Sequence, residues 1–359
     1  MAYRRNLRLY VPYRILTLEG ICHGIYLLWW TQKRHISAAA VAAILAFSDL
    51  VVMALNVPTG VLADRFGRRR SLIAGSAAQV GGILLLWLCE SSAGVALGCV
   101  TIAVGDSFRS GAQEALLFES CDGAQFGRRL ARADAATELA LVGLTLLGGW
   151  IAQWAGFHAA WCVEAALALG GLGVALSFRE VPRPNEAGDV GRGRWAGVPW
   201  SAILPVTLLV AAASGAGFLV PLELADRGAG AGSVANLIAL LQLMEGAGAA
   251  AAGVLGGEPE RRLRLLVAAG ALACVLPGPL GAVTLYFLAG AARPLRGELL
   301  QQRAAPSNRA TVASIAGSAD NLVKGFWLPL AAGLRDSSGP LGANALLAAL
   351  LLAALGATR

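Results

Sequence analysis

Several ionisable side chains interrupt apolar stretches that are long enough to cross a lipid bilayer. A charge at the centre of a bilayer costs roughly 2.5–3.5 kcal/mol on insertion scales, so each of these residues is a candidate functional site. The acidic members are Glu19, Asp49, Asp106, Glu245 and Asp320. The basic members are His23, Arg109, Arg293, Arg296 and Lys324.

Three of these residues are candidates for proton chemistry. Glu19 and His23 are four residues apart, so on a continuous helix they share one face. They could relay a proton or form a hydrogen-bonded structural pair, and the sequence leaves both interpretations open. Asp49 has an apolar sequence environment, which favours the neutral form of a carboxyl, as a proton carrier requires.

Four of the remaining charged residues form two pairs that are close in sequence, whereas Glu245 has no oppositely charged residue nearby. Asp106 and Arg109 are spaced i,i+3, and Asp320 and Lys324 are spaced i,i+4, so each pair can neutralise itself. Such pairs either stabilise the fold or bind the substrate. If Lys324 faces a central cavity, its amine would suit an anionic substrate. Glu245 has no local partner. It therefore finds a partner elsewhere or is protonated, and it is a candidate site for a proton or a cationic substrate.

Other polar and aromatic residues are expected near the ends of the spans. Six glutamates there should extend to water: Glu114, Glu119, Glu138, Glu164, Glu223 and Glu298. The tryptophans mostly fall in the same zones, as in the aromatic belt of a membrane protein. Trp327, one helical turn from Lys324, is the candidate for a stacking role instead.

Composition places the chain in the membrane. Of 359 residues, 57% are hydrophobic and 14% charged, whereas soluble proteins average about 25% charged. The net charge of +7 fits basic cytoplasmic loops better than nucleic-acid binding. The six cysteines are scattered without a Cys-x-x-Cys pattern, so no metal or disulfide framework is predicted. The amino-terminal segment lacks a clean cleavage site and is predicted to be a retained first helix.

Hydropathy predicts an all-α polytopic fold of twelve spans, since each crossing needs about 20 apolar residues. The predicted spans are 10–31, 36–62, 71–89, 93–118, 133–155, 158–178, 200–222, 232–255, 262–279, 280–302, 310–334 and 338–357. A polar linker at 179–199 separates a six-helix bundle at 1–178 from another at 200–359.

Basic residues outside the spans predict the orientation. Most lie on the side of the chain termini and the linker, whereas the other side carries only Lys33, Arg34, Arg227 and Arg335. By the positive-inside rule, both termini are cytoplasmic in a multi-pass protein of the cytoplasmic membrane. The two halves are weakly alike, because Gly253–Gly257 followed by Arg261 falls where the 56–70 segment should repeat.

The segment 56–70, read as a short cationic turn between the second and third spans, carries a specific motif. Its sequence NVPTGVLADRFGRRR resembles the Gly-x-x-x-Asp-Arg-x-Gly-Arg signature between helices 2 and 3 of major facilitator superfamily transporters. Five residues stand at the family spacing: Gly60, Asp64, Arg65, Gly67 and Arg68.

Three further stretches resemble the drug-efflux-like bacterial members of that superfamily. They are Ser110–Leu117, Leu147–Trp161 and Asn308–Ile315. One departure is that the fifth span has Gly143, Gly148 and Gly149 but no Gly-Pro, which antiporters of the superfamily commonly carry. The departure keeps proton-coupled uptake open beside export.

The resemblance implies a gating role for the 56–70 segment. In the family, the motif aspartate contacts the amino end of the eleventh helix and latches the halves on the inside. Asp64 would do so here near Thr311, because a helix amino end attracts negative charge. The alternative is that the arginines of the segment anchor it to anionic lipid.

The resemblance also implies a secondary active transporter that exports a small amphipathic molecule in exchange for protons by alternating access. Its alternatives are a proton-coupled uptake symporter and, in another class, a non-transporting receptor or assembly subunit. The expected partners are a small-molecule substrate, protons and the lipid bilayer, without nucleic acid, for a monomer. No enzymatic activity and no cofactor or metal are predicted, since the histidines are dispersed and no phosphate-binding Gly-x-x-x-x-Gly-Lys is present.

Overall fold

The computed structural model describes residues 3–121, 123–181, 199–254, 258–276, 278–303, 309–338, 346 and 348–353. Every regular element in these ranges is helical, so the predicted all-α fold is confirmed. Six of the described helices are long and apolar enough to cross a membrane. Most of the predicted linker 179–199 and of the twelfth span 338–357 lies outside the described residues.

The first half of the chain begins with short elements and continues with long ones. The short elements are α1 (Arg4–Leu16), α2 (Gly20–His23), α3 (Tyr26–Leu28) and a π-helical turn (Trp29–Lys33). The long helices are α4 (Ala38–Phe66), α5 (Arg68–Leu88), α6 (Ser92–Ser120), α7 (Gly123–Trp154) and α8 (Phe157–Ser177). The side chains of Ser37 and Ser91 cap α4 and α6 by accepting hydrogen bonds from backbone N–H groups.

The second half follows the predicted spans closely. Its helices are α9 (Trp200–Asp226), α10 (Ala231–Val254), α11 (Pro259–Ala273), α12 (Gly278–Arg303) and α13 (Arg309–Ser338). By their contacts, the residues form two compact units. Unit 1 comprises 1–187 and 229–239, and unit 2 comprises 188–228 and 240–359. The predicted domain boundaries at 178 and 200 remain a prediction.

The prediction of one continuous first helix over 10–31 is wrong. The backbone leaves the helical path after Leu16, and Glu19 adopts a left-handed conformation with φ 58°. A second interruption separates α2 from α3 at Gly24 and Ile25. Hydropathy detects apolar length and not backbone continuity, so the break was invisible to it.

The prediction of a turn spanning 56–70 is also wrong. Helix α4 continues to Phe66 and α5 begins at Arg68, so Gly67 alone makes the turn. Its φ of 103° and ψ of 147° lie in a region that is essentially restricted to glycine. The Glu180 carboxylate accepts hydrogen bonds from the backbone N–H groups of Arg68 (2.7 Å) and Arg69 (3.0 Å) and so covers the start of α5.

Helices α5 and α6 pack backbone to backbone through facing glycines. A Cβ on Gly75 would lie 2.7 Å from the Gly105 carbonyl oxygen, and one on Gly82 would lie 2.8 Å from that of Gly98. Small residues at this spacing allow two helices to approach closely where the hydrophobic effect does not drive association. The close packing fixes the position of α6, which carries Asp106 and Arg109.

We expect Gly67→Ala to lower the thermal unfolding midpoint of the purified protein. The substitution forces a Cβ into a strained conformation that costs about 1–3 kcal/mol, and that Cβ would lie 2.9 Å from the Glu180 carboxyl. Gly60→Ala is the matched control, because Gly60 lies inside α4 with nothing within 4 Å of a new Cβ. It should leave the midpoint unchanged or raise it slightly. Equal midpoints for Gly67→Ala and the wild type would contradict the assignment of the turn.

Candidate functional site

The break after α1 exposes backbone groups that neighbouring helices must satisfy. The carbonyl of Thr17 accepts hydrogen bonds from Gln79 Nε2 on α5 and from Arg109 Nη1 on α6, both at 3.1 Å. Gln79 is fully buried, so its amide has no access to water. Non-helical backbone inside a membrane protein persists where buried groups pair with it. The break is therefore held by side chains and not by the chain itself.

Arg109 connects the break to two carboxylates. It donates to Gln79 Oε1 at 2.6 Å and contacts Asp106, its predicted i,i+3 partner. Its Nη2 also lies 3.9 Å from Glu19 Oε1, and Glu19 accepts a hydrogen bond from Gln79 Nε2 at 3.2 Å. One buried guanidinium thus faces two carboxylates. We call Glu19, Gln79, Asp106 and Arg109 the break network.

Glu164 on α8 supports the break from another side. Its side chain was expected to reach water at a span end, but the residue is 1% exposed, so that prediction is wrong. Glu164 Oε2 accepts a hydrogen bond from the backbone N–H of Cys22 at 2.8 Å. The signal was available in the sequence, because Glu164 lies seven residues, or about 10 Å, inside its helix.

A cavity of about 270 Å³ adjoins the break within unit 1. We call it the N-terminal pocket. Its wall carries four carboxylates, one imidazole and three aromatic side chains. These are Glu19, Asp49, Asp106, Glu164, His23, Tyr26, Trp30 and Trp161. The structure therefore brings the predicted residues Glu19, His23, Asp49 and Asp106 to one pocket and adds Glu164, which the prediction missed.

The basis for pairing Glu19 with His23 needs correction. They do not share a helix face, because Glu19 is non-helical and α2 begins after it. The backbone turn, and not the i,i+4 spacing, directs both toward the same pocket. Their shared location keeps both as candidates for proton chemistry.

A second cavity of about 220 Å³ lies on the other side of the break network. It is lined by Arg14, Thr17, Arg109 and Gln113, among others, and Asp106 borders both cavities. The Asp106–Arg109 pair therefore stands between two pockets in the same unit. A change in its pairing alters the wall of both.

The charged residues of unit 2 pair between helices. Arg296 on α12 binds Asp320 on α13 through two hydrogen bonds of 2.7 Å, and Thr207 Oγ1 on α9 donates to the same carboxylate at 2.7 Å. The predicted local partner of Asp320 was Lys324, and spacing did not reveal Arg296. Glu245 on α10 contacts Arg293 on α12, and a distant partner was one of the two predicted alternatives for Glu245.

The motif residues are described only in part. Gly60 lies inside α4, and Arg68 Nε on α5 lies 3.4 Å from Glu119 Oε1 on α6. The side chains of Asp64, Arg65 and Thr311 lie outside the described residues. The predicted latch therefore remains a prediction.

Three tryptophans depart from the expected belt, whereas Trp154 and Trp200 are exposed at helix ends. Trp29, Trp30 and Trp161 are 3%, 2% and 2% exposed, and the rings of Trp29 and Trp161 are 6.3 Å apart. Trp30 stacks at a tilt against Tyr26 with 4.9 Å between ring centroids. These side chains form part of the interior of unit 1, so their assignment to an interfacial belt is wrong.

A family model described as Major Facilitator Superfamily matches residues 18–327. No curated protein matches the sequence. Similar solved structures include a mutant of the nucleoside transporter NupG, with a TM-score of 0.76, 12% identity and 99% of each chain covered. A bacterial homolog of the human lysosomal transporter Spinster has a TM-score of 0.73 and 15% identity, with 100% of this chain and 96% of that chain covered.

A third similar structure is the human organic anion transporter MFSD10. It has a TM-score of 0.64 and 14% identity, and 99% of each chain is covered. At such low identity, these likenesses establish the fold and no more. The predicted polytopic membrane fold is therefore confirmed.

We expect Arg109→Met to destabilise the protein, because it removes the guanidinium that contacts Asp106 and donates to the buried Gln79 Oε1 and the Thr17 carbonyl. Such losses cost about 1–3 kcal/mol each. Arg109→Lys keeps the charge but lacks the planar fork that serves several acceptors, so its unfolding midpoint should fall between those of the wild type and Arg109→Met.

A second substitution tests the cause of that loss. Adding Asp106→Asn to Arg109→Met removes the carboxylate that has lost its partner. The double variant should therefore regain part of the decrease in the unfolding midpoint. Additive effects of the two substitutions would show that Asp106 and Arg109 are not coupled.

Proposed function

The chain belongs to the major facilitator superfamily, and we propose that it is a secondary active transporter that exports a small organic molecule in exchange for protons. The transport would follow alternating access across the cytoplasmic membrane, with both termini in the cytoplasm. The observation that carries the proposal is the break network beside the N-terminal pocket. It puts ionisable groups, a substrate-sized cavity and an interrupted helix at one place.

The geometry of the break network suits proton uptake. Arg109 faces both Glu19 and Asp106, so it neutralises one negative charge and leaves a second nearby. Two like charges beside one guanidinium repel each other, and binding one proton relieves that repulsion. The proton would then change how Arg109 divides its hydrogen bonds between the two carboxylates.

The proton also has a direct mechanical consequence in this arrangement. Arg109 and Gln79 hold both the carboxylates and the Thr17 carbonyl. A shift of Arg109 therefore reaches the backbone at the break without a relay through distant residues. Asp49 and Glu245 remain proposed as further proton or substrate sites, and Lys324 as a contact for substrate.

The direction of transport is the finer part of the proposal. Export is favoured by the resemblance of the motifs to drug-efflux-like members, whereas uptake with protons is the alternative that the missing Gly-Pro keeps open. A non-transporting receptor is the alternative from another class. Carboxylates at the pocket wall favour a coupled transporter over it.

The test is a reconstitution of the purified protein in liposomes that contain a pH-sensitive dye. A panel of cationic, neutral and anionic compounds is added to the vesicles under an imposed proton gradient. We expect one class to drain the gradient. Glu19→Gln should abolish uphill movement and retain downhill exchange, because the neutral amide preserves the fold but carries no proton. Asp49→Asn and Glu245→Gln are measured in parallel.

Glu90→Gln is the control, since Glu90 is an exposed carboxylate paired with Arg34 outside the pocket. It should transport as the wild type does. Uphill pumping that survives in Glu19→Gln, Asp49→Asn and Glu245→Gln would overturn the proposed coupling. Absence of both pumping and counterflow for every compound would favour the non-transporting class.

A further inference from the structure

Among the described residues that line the N-terminal pocket, four carry a carboxyl group and none is an arginine or a lysine. Glu19, Asp49, Asp106 and Glu164 line it, whereas the adjoining guanidinium of Arg109 already contacts Asp106. An anionic guest would meet carboxylates on several sides. A cationic guest would be attracted by the same groups.

The distribution of these groups favours an organic cation over a metal ion. Among the described residues, no three His, Cys, Asp or Glu side chains are close enough to hold one metal ion together. The cavity of about 270 Å³ has room for roughly nine waters at about 30 Å³ each. This volume suits a small organic molecule of about ten non-hydrogen atoms.

The aromatic part of the wall matches the same kind of guest. Tyr26 and Trp30 stack on one side of the pocket, and Trp161 lies on the α8 side. The faces of such rings attract an ammonium group and also pack against an apolar body. Aromatic faces beside carboxylates are a common environment for a protonated or quaternary amine.

Two donors in the wall lack acceptors. The indole nitrogens of Trp30 and Trp161 are buried and have no hydrogen-bond partner within the described part of the chain. Both residues are 2% exposed, so water does not replace the missing acceptor. A buried N–H without an acceptor costs about 1–3 kcal/mol. Neither N–H is open to the cavity, so an oxygen on the guest would recover that cost once a side chain of the wall rotates and exposes the N–H.

We propose that the N-terminal pocket binds an organic ammonium ion that also carries a hydrogen-bond acceptor oxygen, such as an ether, hydroxyl or carbonyl. The ammonium group lies among the carboxylates, the apolar body lies against the aromatic rings, and the oxygen accepts from an indole N–H. The inference rests on the proposed function, because it names the substrate class of the same transporter.

The test uses four matched probes that differ by one group. 4-Methoxyphenethylamine has the ammonium and the ether oxygen. 4-Ethylphenethylamine lacks the oxygen, 1-methoxy-4-propylbenzene lacks the ammonium, and 3-(4-methoxyphenyl)propanoate reverses the charge. Dissociation constants are measured by ligand-observed NMR titration of the full chain in nanodiscs, with empty nanodiscs as the baseline. This readout detects binding without requiring transport.

We expect the methoxy amine to bind most tightly. Loss of the oxygen should weaken binding roughly three- to tenfold, the range of one neutral hydrogen bond. Loss of the ammonium should weaken it more than about tenfold, as expected for a charge-assisted contact. The anionic probe should not bind. Equal binding of the methoxy amine and the neutral ether, or of the two amines, would overturn the proposal.

Substitutions locate the two contacts. Trp161→Phe and Trp30→Phe keep a ring but remove the N–H, so one of them should abolish the preference for the methoxy amine over the ethyl amine. Asp49→Asn and Glu19→Gln should each weaken both amines. The controls are Trp87→Phe, whose indole donates to His158 outside the pocket, and Glu90→Gln. An unchanged preference in both pocket tryptophan variants that retain the wild-type unfolding midpoint would overturn the assignment.

Counterflow of the methoxy amine in proteoliposomes separates the two proposals. Binding without counterflow supports the ligand class and contradicts transport by this chain. Counterflow of other compounds together with no binding of the amines supports transport and overturns the ligand class.

Discussion

The structure of unit 1 depends on satisfying the backbone where the first predicted span is interrupted. The Thr17 carbonyl and the Cys22 N–H have lost their partners within the helix, and a membrane interior offers no water to replace them. Gln79, Arg109 and Glu164 supply the missing partners from three different helices. This requirement explains why polar side chains are buried in helices that are otherwise apolar.

The same requirement creates the candidate site. The left-handed conformation of Glu19 turns its carboxyl out of the helical path, where it meets Gln79 and Arg109. The next residues along the chain then place His23 and Tyr26 on the pocket wall. Groups that hold the backbone are therefore also groups that a proton or a cation would perturb. The proposed binding would therefore act on the contacts that hold the backbone at the break.

Sequence patterns predicted the helices and the pairs within one helix, but they missed the contacts between helices. Apolar length located the long helices α4 to α13, and i,i+3 spacing identified the Asp106–Arg109 pair. The break had no proline at its position, and neighbouring helices stabilise it, so no local signal was sufficient. Arg296–Asp320 joins two helices, and its register depends on how α12 and α13 pack. Glu164 was misjudged because its depth in the span was given less weight than its charge.

The two units differ in how their charges are balanced, and this difference bears on which one responds to ions. In unit 2, Arg296 pairs with Asp320 and Arg293 contacts Glu245. An ion pair resists a change of protonation, because neutralising one partner leaves the charge of the other uncompensated. In unit 1, Arg109 serves two carboxylates beside a pocket that carries two more. This contrast supports the proposal that protons act on Glu19 and Asp106 in unit 1.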